Sequence, residues 1–224
     1  MTDNEIRTAV EKELDWEPAV NSAGVHVAVV EGVVTLTGHV ESYPQRHEAV
    51  RASGRVRGVK AVVDHLEVRI GEPNQRADEE LAIAASNIIS WNTEIPLGSI
   101  RITIENGRVK LDGIVDYDFQ RRSAHRSLRY LTGVKDVNNH VMVKPHPVRK
   151  LVKADIKAAL GRNAVLDASG ISVDTNGDGV ILGGSVDSWS ERMQAERAAW
   201  ASPGVCYVEN KIIVAPGRAL LQSA

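Results

Sequence analysis

Apolar positions along the chain follow one order of periodicities, and that order occurs three times. First comes a stretch with apolar residues four apart, which predicts an amphipathic helix. Two stretches of alternating apolar and polar residues follow, which predict half-buried strands, and then a second helix and a last strand. The apolar positions of the first helix are Ile6, Val10 and Leu14, then Leu81, Ala85 and Ile89, and then Val152, Ile156 and Leu160.

The three copies are related by constant offsets of 75 and 71 residues. The second strand carries a glycine in each copy, in LTGHV, LDGIV and LGGSV, and the third strand carries a polar residue among valines. So many matches at constant offsets indicate a threefold internal repeat. The matched positions include Gly38, Gly113 and Gly184; Arg46, Arg121 and Arg192; Arg51, Arg126 and Arg197; and Asp64, Asn139 and Asn210.

Turn and linker residues complete the fold prediction. Glu31-Gly32 and Asn106-Gly107 are typical of a type I′ hairpin, because both central residues of that turn need positive φ. Gly38 has the parity of the apolar residues in its strand, which predicts the close approach of a helix backbone. We predict an α+β protein of three tandem αββαβ units, each a three-stranded mixed sheet with two helices on one face. The second helix is expected from about residue 45 to 57, ending at Gly58.

Two proline-containing linkers divide the units, because proline interrupts regular structure. They read GEPNQR at residues 71–76 and PHPV at residues 145–148. The predicted domains are therefore 1–71, 72–146 and 147–216, with a flexible tail at 217–224.

Charge and hydropathy exclude several classes of protein. The chain has 27 basic and 29 acidic residues, so no whole-molecule field attracts nucleic acid. Aromatic residues are only 4% of the chain, which argues against a base-stacking surface. Residues 1–18 are acidic and periodic, unlike a secretory signal, and no apolar run of about 18 residues predicts a membrane span. A cytoplasmic protein is expected, peripheral to any membrane that it meets.

The repeated unit resembles the BON domain. The resemblance is carried by a G-x-V in the second strand, an Arg and an Ala in the second helix, and then G-V-x-x-V-x-[ND]-x-[LVI]-x-V. It covers about residues 3–214 and implies a non-enzymatic bacterial protein, related to envelope and osmotic-stress proteins, that binds phospholipid or other envelope components. In unit 1 these marks are Gly38-His39-Val40, Arg46, Ala49, Gly58-Val59, Val62, Asp64, Leu66 and Val68.

Motifs for catalysis or metal binding are missing or incomplete. No G-x-S-x-G, Walker loop or C-x-x-C is present, so we predict neither an enzyme nor a cofactor. DTNGDG at residues 174–179 matches half of a calcium loop, but Ser185 replaces the bidentate Glu, so a hairpin turn without metal is predicted. The seven histidines show no ligand spacing and are interpreted as surface residues. Cys206 is expected to face solvent, as an ordinary thiol or as a redox or attachment site.

Two arginines recur on the second helix of every unit, and guanidinium groups suit phosphate or carboxylate partners. The alternative is a solvated helix face with pairs such as Glu48 and Arg51. The polar residue of the third strand bonds the neighbouring backbone or contacts a ligand. The tryptophans at 16, 91, 189 and 200 pack in cores and between units, or anchor at an interface. The candidate lipid- or anion-binding residues are Arg46, Arg51, Arg121, Arg126, Arg192 and Arg197.

Two functional hypotheses follow. In the first, the three units form a non-enzymatic module that associates with anionic phospholipid surfaces or envelope-associated proteins during stress, through several weak sites acting together. In the second, the chain is a cytoplasmic stress or scaffold protein that binds other proteins without touching lipid.

Overall fold

The computed structural model describes residues 1–145, 153–162, 168–202 and 204–215. Val152, residues 146–148 of the second linker and the predicted tail at 217–224 lie outside the described residues. The elements follow the predicted order. Unit 1 contains α1 (Asp3–Trp16), β1 (Val25–Val30), β2 (Val33–Val40), α2 (Tyr43–Arg55) and β3 (Ala61–Val68). Unit 2 contains α3 (Asp78–Trp91), β4 (Ile100–Glu105), β5 (Arg108–Val115), α4 (Asp118–Arg129) and β6 (Asp136–Val143). Unit 3 contains α5 (Lys153–Gly161), β7 (Ile171–Asn176), β8 (Gly179–Val186), α6 (Trp189–Trp200), β9 (Tyr207–Asn210) and β10 (Ile213–Val214).

Each sheet is mixed and has the second strand of its unit at the centre. In unit 1, β2 pairs antiparallel with β1 and parallel with β3, and β5 has the same two relations in unit 2. In unit 3 the last strand is interrupted, and β9 and β10 pair separately with β8. The predicted α+β fold of three mixed-sheet units is therefore confirmed, while the exact domain boundaries stay predictions.

The first helix packs its apolar stripe on the sheet, and its first residue holds the hairpin. Both residues of the turn in unit 1 have positive φ, 52° at Glu31 and 79° at Gly32, as a type I′ turn requires. The carboxylate of Asp3 accepts hydrogen bonds from these two backbone N–H groups, at 2.8 and 2.9 Å. Asp78 binds the equivalent turn of unit 2 at 2.7 and 2.9 Å. Sequence reasoning missed this carboxylate, although an acid at the same position of two repeats was a usable signal.

The glycine of the second strand permits a close backbone contact. Gly38 has φ of 105°, and a Cβ there would collide with the carbonyl oxygen of Gly24. Gly113 and Gly184 face the equivalent carbonyls of their units. The predicted close approach of a helix backbone is confirmed in units 1 and 3, where the carbonyl belongs to the last residue of a short 3₁₀ helix, Ser22–Gly24 or Ala168–Gly170. In unit 2 the carbonyl belongs to Ser99, which is not helical. Val25 pairs with Gly38, so the segment just before β1 crosses the glycine.

The second helix ends earlier than predicted. α2 ends at Arg55, and Gly58, with φ of 93°, lies in the turn that follows. The backbone N–H of Val59 donates to the carbonyl of Val56, which closes that turn at 3.2 Å. The left-handed glycine therefore directs the chain into β3 and does not cap the helix itself.

Unit 1 contacts unit 2 through α2. Tyr43, at the start of α2, is buried, and its hydroxyl lies 3.2 Å from Nε2 of His125 on α4. The guanidinium of Arg46 lies 3.6 Å from the carboxylate of Asp136. Tyr43 also belongs to the apolar cluster of unit 2, so unit 1 contributes a side chain to the core of its neighbour.

The other two pairs of units make contacts at equivalent places. In unit 2, the guanidinium of Arg121 lies over the ring of Trp200 in unit 3, 4.3 Å from its centroid. In unit 3, Trp189 occupies the position of Tyr43, and its ring meets the backbone of α2 at Gly54. The start of each second helix thus packs on the second helix of the next unit. Because unit 3 returns to unit 1, the three units close head to tail.

Candidate anion-binding surface

The first arginine of each second helix is occupied within the protein. Arg46 donates from Nε to Asp64 on β3 at 2.8 Å, and Arg192 donates to the carbonyls of Asn210 and Ile212 at 2.9 and 3.0 Å. Arg121 pairs with the buried carboxylate of Asp118 and stacks on Trp200. These three predicted residues have bonds that join the second helix to the last strand or to the next unit.

The polar residue of the third strand completes this connection. The Asn139 amide donates to the carbonyl of Arg121 at 2.7 Å and accepts from the backbone N–H of Val141 at 3.1 Å. Asn210 makes both equivalent bonds in unit 3, donating to the carbonyl of Arg192 at 3.2 Å and accepting from the backbone N–H of Ile212 at 3.2 Å. The carboxylate of Asp64 only accepts, from the backbone N–H of Leu66 at 3.0 Å. The interpretation of these residues as partners of neighbouring backbone is confirmed, because a half-buried polar group must be hydrogen-bonded there.

The second arginine of each helix is exposed. Arg51 and Arg126 have side chains 54% and 65% exposed, and their partners are Glu48 and Glu94 respectively. Arg197 is exposed and makes no ion pair within the part of the chain that the structure describes. Exposed pairs of this kind are weak and are readily exchanged for another anion. Of the six predicted residues, Arg51, Arg126 and Arg197 are therefore the ones accessible to a partner.

The structure brings two of these arginines together. Arg51 and Arg197 line one groove of about 370 Å³ between α2 and α6, here called the unit 1–unit 3 groove. Its other lining residues are His47, Val50, Gly54, Arg55, Trp189, Ser190, Met193 and Gln194. The described lining residues include three arginines and no carboxylate, and of these arginines Arg51 and Arg55 pair with glutamates outside the lining. Arg126 does not line this groove.

Histidines and cations surround the contact between units 1 and 2. The rings of His47 and His125 lie 6.4 Å apart. Burial, together with Arg129, His125, Arg51 and Arg197, lowers the pKa of His47 to about 4. Burial and Arg129 also lower the pKa of His125, against the opposing effect of Asp136. Both imidazoles are therefore neutral at physiological pH, and the prediction that every histidine is a solvated surface residue is wrong for these two.

The four tryptophans divide into two pairs. Trp189 and Trp200 lie in contacts between units, which confirms packing for them. Trp16 and Trp91 are 84% and 83% exposed at the ends of α1 and α3, so core packing is wrong for them. A helix end can expose such a ring without disturbing the core, and exposed tryptophan suits a boundary between apolar and aqueous regions.

The structure also shows where Cys206 and the two aspartates of the incomplete calcium loop lie. Cys206 is half-buried, packs against the cluster of unit 2, and approaches the carbonyl oxygen of Asp178 at 3.5 Å. The prediction that it faces solvent is therefore wrong, and burial and Asp178 raise the pKa of its thiol. Asp178 lies in the hairpin turn between β7 and β8, as predicted. The same prediction is wrong for Asp174, which lies within β7 and pairs with Ile181. Within the described ranges, no cluster of three potential metal ligands occurs.

The fold defines a class of α+β proteins built from tandem αββαβ units. The family model of the BON domain matches residues 2–70, 77–145 and 150–216, and the chain belongs to this family. It is 29% identical over 154 residues to osmotically-inducible protein Y of Escherichia coli (strain K12), over 64% of this chain and 74% of that protein.

Solved structures with some likeness come from type III secretion systems. CdsD, a structural protein of that system in Chlamydia trachomatis, is 16% identical with a TM-score of 0.25, over 96% of this chain and 94% of that one. The PrgH periplasmic domain is 13% identical with a TM-score of 0.24, over 85% of this chain and 95% of that one. In the described part of this protein, no helix combines the length and apolar character needed to cross a bilayer.

Proposed function

We propose that the protein is a non-enzymatic, stress-related module that associates peripherally with anionic phospholipid surfaces or envelope-associated assemblies. The observation that carries this proposal is the exposure of Arg51, Arg126 and Arg197 at one position of three units. The other arginine of each helix has bonds within the protein. The similarity to osmotically-inducible protein Y supports the relation to stress. Cytoplasmic localisation stays a prediction.

Exposed aromatic side chains support contact with a membrane surface. Trp16 and Trp91 occupy equivalent positions and have no packing role in the cores. A basic residue near an anionic surface contributes about 1 kcal/mol, so three of them contribute about 3 kcal/mol. That sum corresponds to a change of more than about 100-fold in partition between vesicle and solution.

The test is co-sedimentation with phosphatidylglycerol-containing vesicles. The variant Arg51→Gln, Arg126→Gln, Arg197→Gln is expected to bind about 100-fold more weakly, with an unchanged thermal midpoint. Raising salt from about 0.05 to 0.5 M should weaken binding of the unmodified protein, because screening shortens to a few ångströms. The matched control is Arg69→Gln, Arg101→Gln, Arg108→Gln, which removes the same charge from exposed positions outside the second helices. Equal losses in the two variants would show that only net charge matters.

One observation favours the alternative of a protein scaffold. Unit 2 exposes Leu97, Ile114, Phe119 and Met142, each between 47% and 85%. Ile114 and Met142 are cross-strand neighbours on the open face of the sheet. The equivalent residues of unit 1 are Ser22, His39, Pro44 and Glu67, so the fold does not need apolar side chains there. Absence of vesicle binding by the unmodified protein would contradict the lipid proposal and favour this scaffold function.

A further inference from the structure

We propose that the unit 1–unit 3 groove binds one small amphiphilic anion, an organic phosphate or carboxylate that carries an apolar chain or ring. This inference rests on the proposed function, in which second-helix arginines contact anionic groups. It goes further in assigning a discrete pocket to a single molecule. A volume of about 370 Å³ lies within the range of small-molecule sites.

In the cationic half of the groove, the guanidinium groups of two arginines have N–H donors available for an anion. Arg197 has no ion-pair partner among the described residues, and Arg51 reaches Glu48 through Nε at 2.8 Å. Arg55 is held by Glu13 and Glu17 at 3.0 and 2.8 Å and contributes charge without being available. Two guanidinium groups from different units can therefore approach one phosphate or carboxylate, the geometry for which arginine is suited.

The other half of the groove is apolar. Val50 and Met193 line it beside Trp189, whose ring is fixed against the backbone of Gly54. Bare inorganic anions would leave this wall in water, whereas an acyl chain or aromatic ring would cover it. Charge and apolar surface lie side by side, so the complementary ligand carries both.

The other two contacts between units cannot form the same pocket. At the contact of unit 1 with unit 2, Tyr43 replaces Trp189, and it is buried with its hydroxyl against His125. At the contact of unit 2 with unit 3, Asp118 takes that position, and its carboxylate pairs with Arg121 and Arg122. A carboxylate at that position repels an anionic ligand. The proposed site therefore occurs only at the contact of unit 3 with unit 1.

The experiment is calorimetric titration of the full chain at low salt, with dodecyl phosphate kept below its micellar concentration. One molecule is expected to bind per chain. Arg197→Gln should weaken binding at least about tenfold, the loss expected from one charge-assisted hydrogen bond. Arg101→Gln is the control, since Arg101 is an exposed arginine on β4, outside the groove and outside the second helices, and its loss should change affinity less than twofold. Circular dichroism confirms that both exposed variants are folded.

Further ligands distinguish the sources of affinity. Dodecyl maltoside has the same chain without charge, and inorganic phosphate has the charge without the chain, so both should bind at least about tenfold more weakly. If either ligand binds as tightly as dodecyl phosphate, or if Arg101→Gln and Arg197→Gln lose affinity equally, the assignment of this pocket is wrong. Ligand binding should also raise the pKa of His47 in an NMR titration, because a bound anion offsets the neighbouring arginines. If the protein binds dodecyl phosphate but not vesicles, the proposed function is wrong, whereas the assignment of the groove as a binding site for an amphiphilic anion is supported.

Discussion

Two arginines five residues apart on the same helix have different surroundings. Arg46 points to the last strand of its own unit, where Asp64 accepts from it, and Arg51 lies exposed beside Glu48. The recurrence of the first arginine therefore reflects the fold, since Arg46 and Arg192 bond the helix to the last strand of their units and Arg121 contacts unit 3. The recurrence of the second arginine is not explained by bonds within the fold in unit 3, because Arg197 makes no ion pair within the described chain. Repetition alone thus did not separate a structural residue from a candidate binding residue.

The neutral histidines predict a stability that depends on pH. The pKa of His47 is about 4 in the folded protein and about 6.5 in an unfolded chain. Between these values the unfolded state binds a proton that the folded state does not, so the free energy of unfolding falls as pH falls from about 6.5 to 4. The thermal midpoint should be lower at about pH 5 than at about pH 7.5, and His47→Gln should reduce that difference.

Groups from every neighbouring element take part in this effect. His125, Arg51, Arg129 and Arg197 face His47 and disfavour its protonation, while Asp136 favours protonation of His125. Other ionisable groups also make the stability of the unmodified protein depend on pH, so the comparison between variants isolates the histidine. His140→Gln is the control, because His140 is exposed on β6. A pH dependence that is identical in all three proteins would remove His47 from this role.

At the scale of elements, the join between second helix and last strand is a small hydrogen-bonded clamp. Asn139→Ala removes a donor to the carbonyl of Arg121 and an acceptor for the N–H of Val141. Leaving two half-buried backbone groups without partners should lower the free energy of unfolding by about 1–3 kcal/mol. Urea denaturation followed by circular dichroism measures the change.

The neighbouring asparagine provides a matched control for the clamp. Asn138 is exposed, and its side-chain amide has a long bond of 3.5 Å to Asp136. Asn138→Ala should therefore change the free energy of unfolding by less than about 0.5 kcal/mol. If the two alanine variants are equally stable, the hydrogen bonds of the clamp do not contribute to the free energy of unfolding, and only the strand propensities of asparagine and alanine matter.

The sequence predicted the elements within each unit but not the way in which the three units pack together. Helices, strands and hairpin turns followed from periods and from glycine positions, because these depend on contacts within about 70 residues of chain, one unit at a time. The groove depends on Arg51 and Arg197, which belong to different units, and the repeat pattern does not specify how units pack. One sequence signal for the packing of units was the presence of an aromatic residue, Tyr43 or Trp189, at the same position of two repeats. Another was Gly54, where the other units carry Arg129 and Trp200.

At the scale of the whole molecule, the contact of unit 3 with unit 1 closes the arrangement and forms the groove. Trp189 rests on the backbone of Gly54, a helical position where any side chain would collide with the ring. Gly54→Leu should favour the isolated helix by about 1 kcal/mol. Overpacking against the tryptophan should cost about 1–3 kcal/mol. We expect the second effect to exceed the first and to separate units 1 and 3.

Small-angle scattering should then give a larger radius of gyration for Gly54→Leu than for the unmodified protein, and dodecyl phosphate binding should be lost with it. Gly161→Leu is the control, because a Cβ at Gly161 on α5 meets no atom of the described residues within 4 Å, apart from its chain neighbours and its own helix backbone. That variant carries the same change in composition and should keep the dimensions of the unmodified protein. An unchanged radius in Gly54→Leu would mean that linkers and the other two contacts hold the units together without Trp189. Lost ligand binding at unchanged dimensions would instead assign the effect to filling of the groove, since the leucine side chain occupies the volume beside the ring.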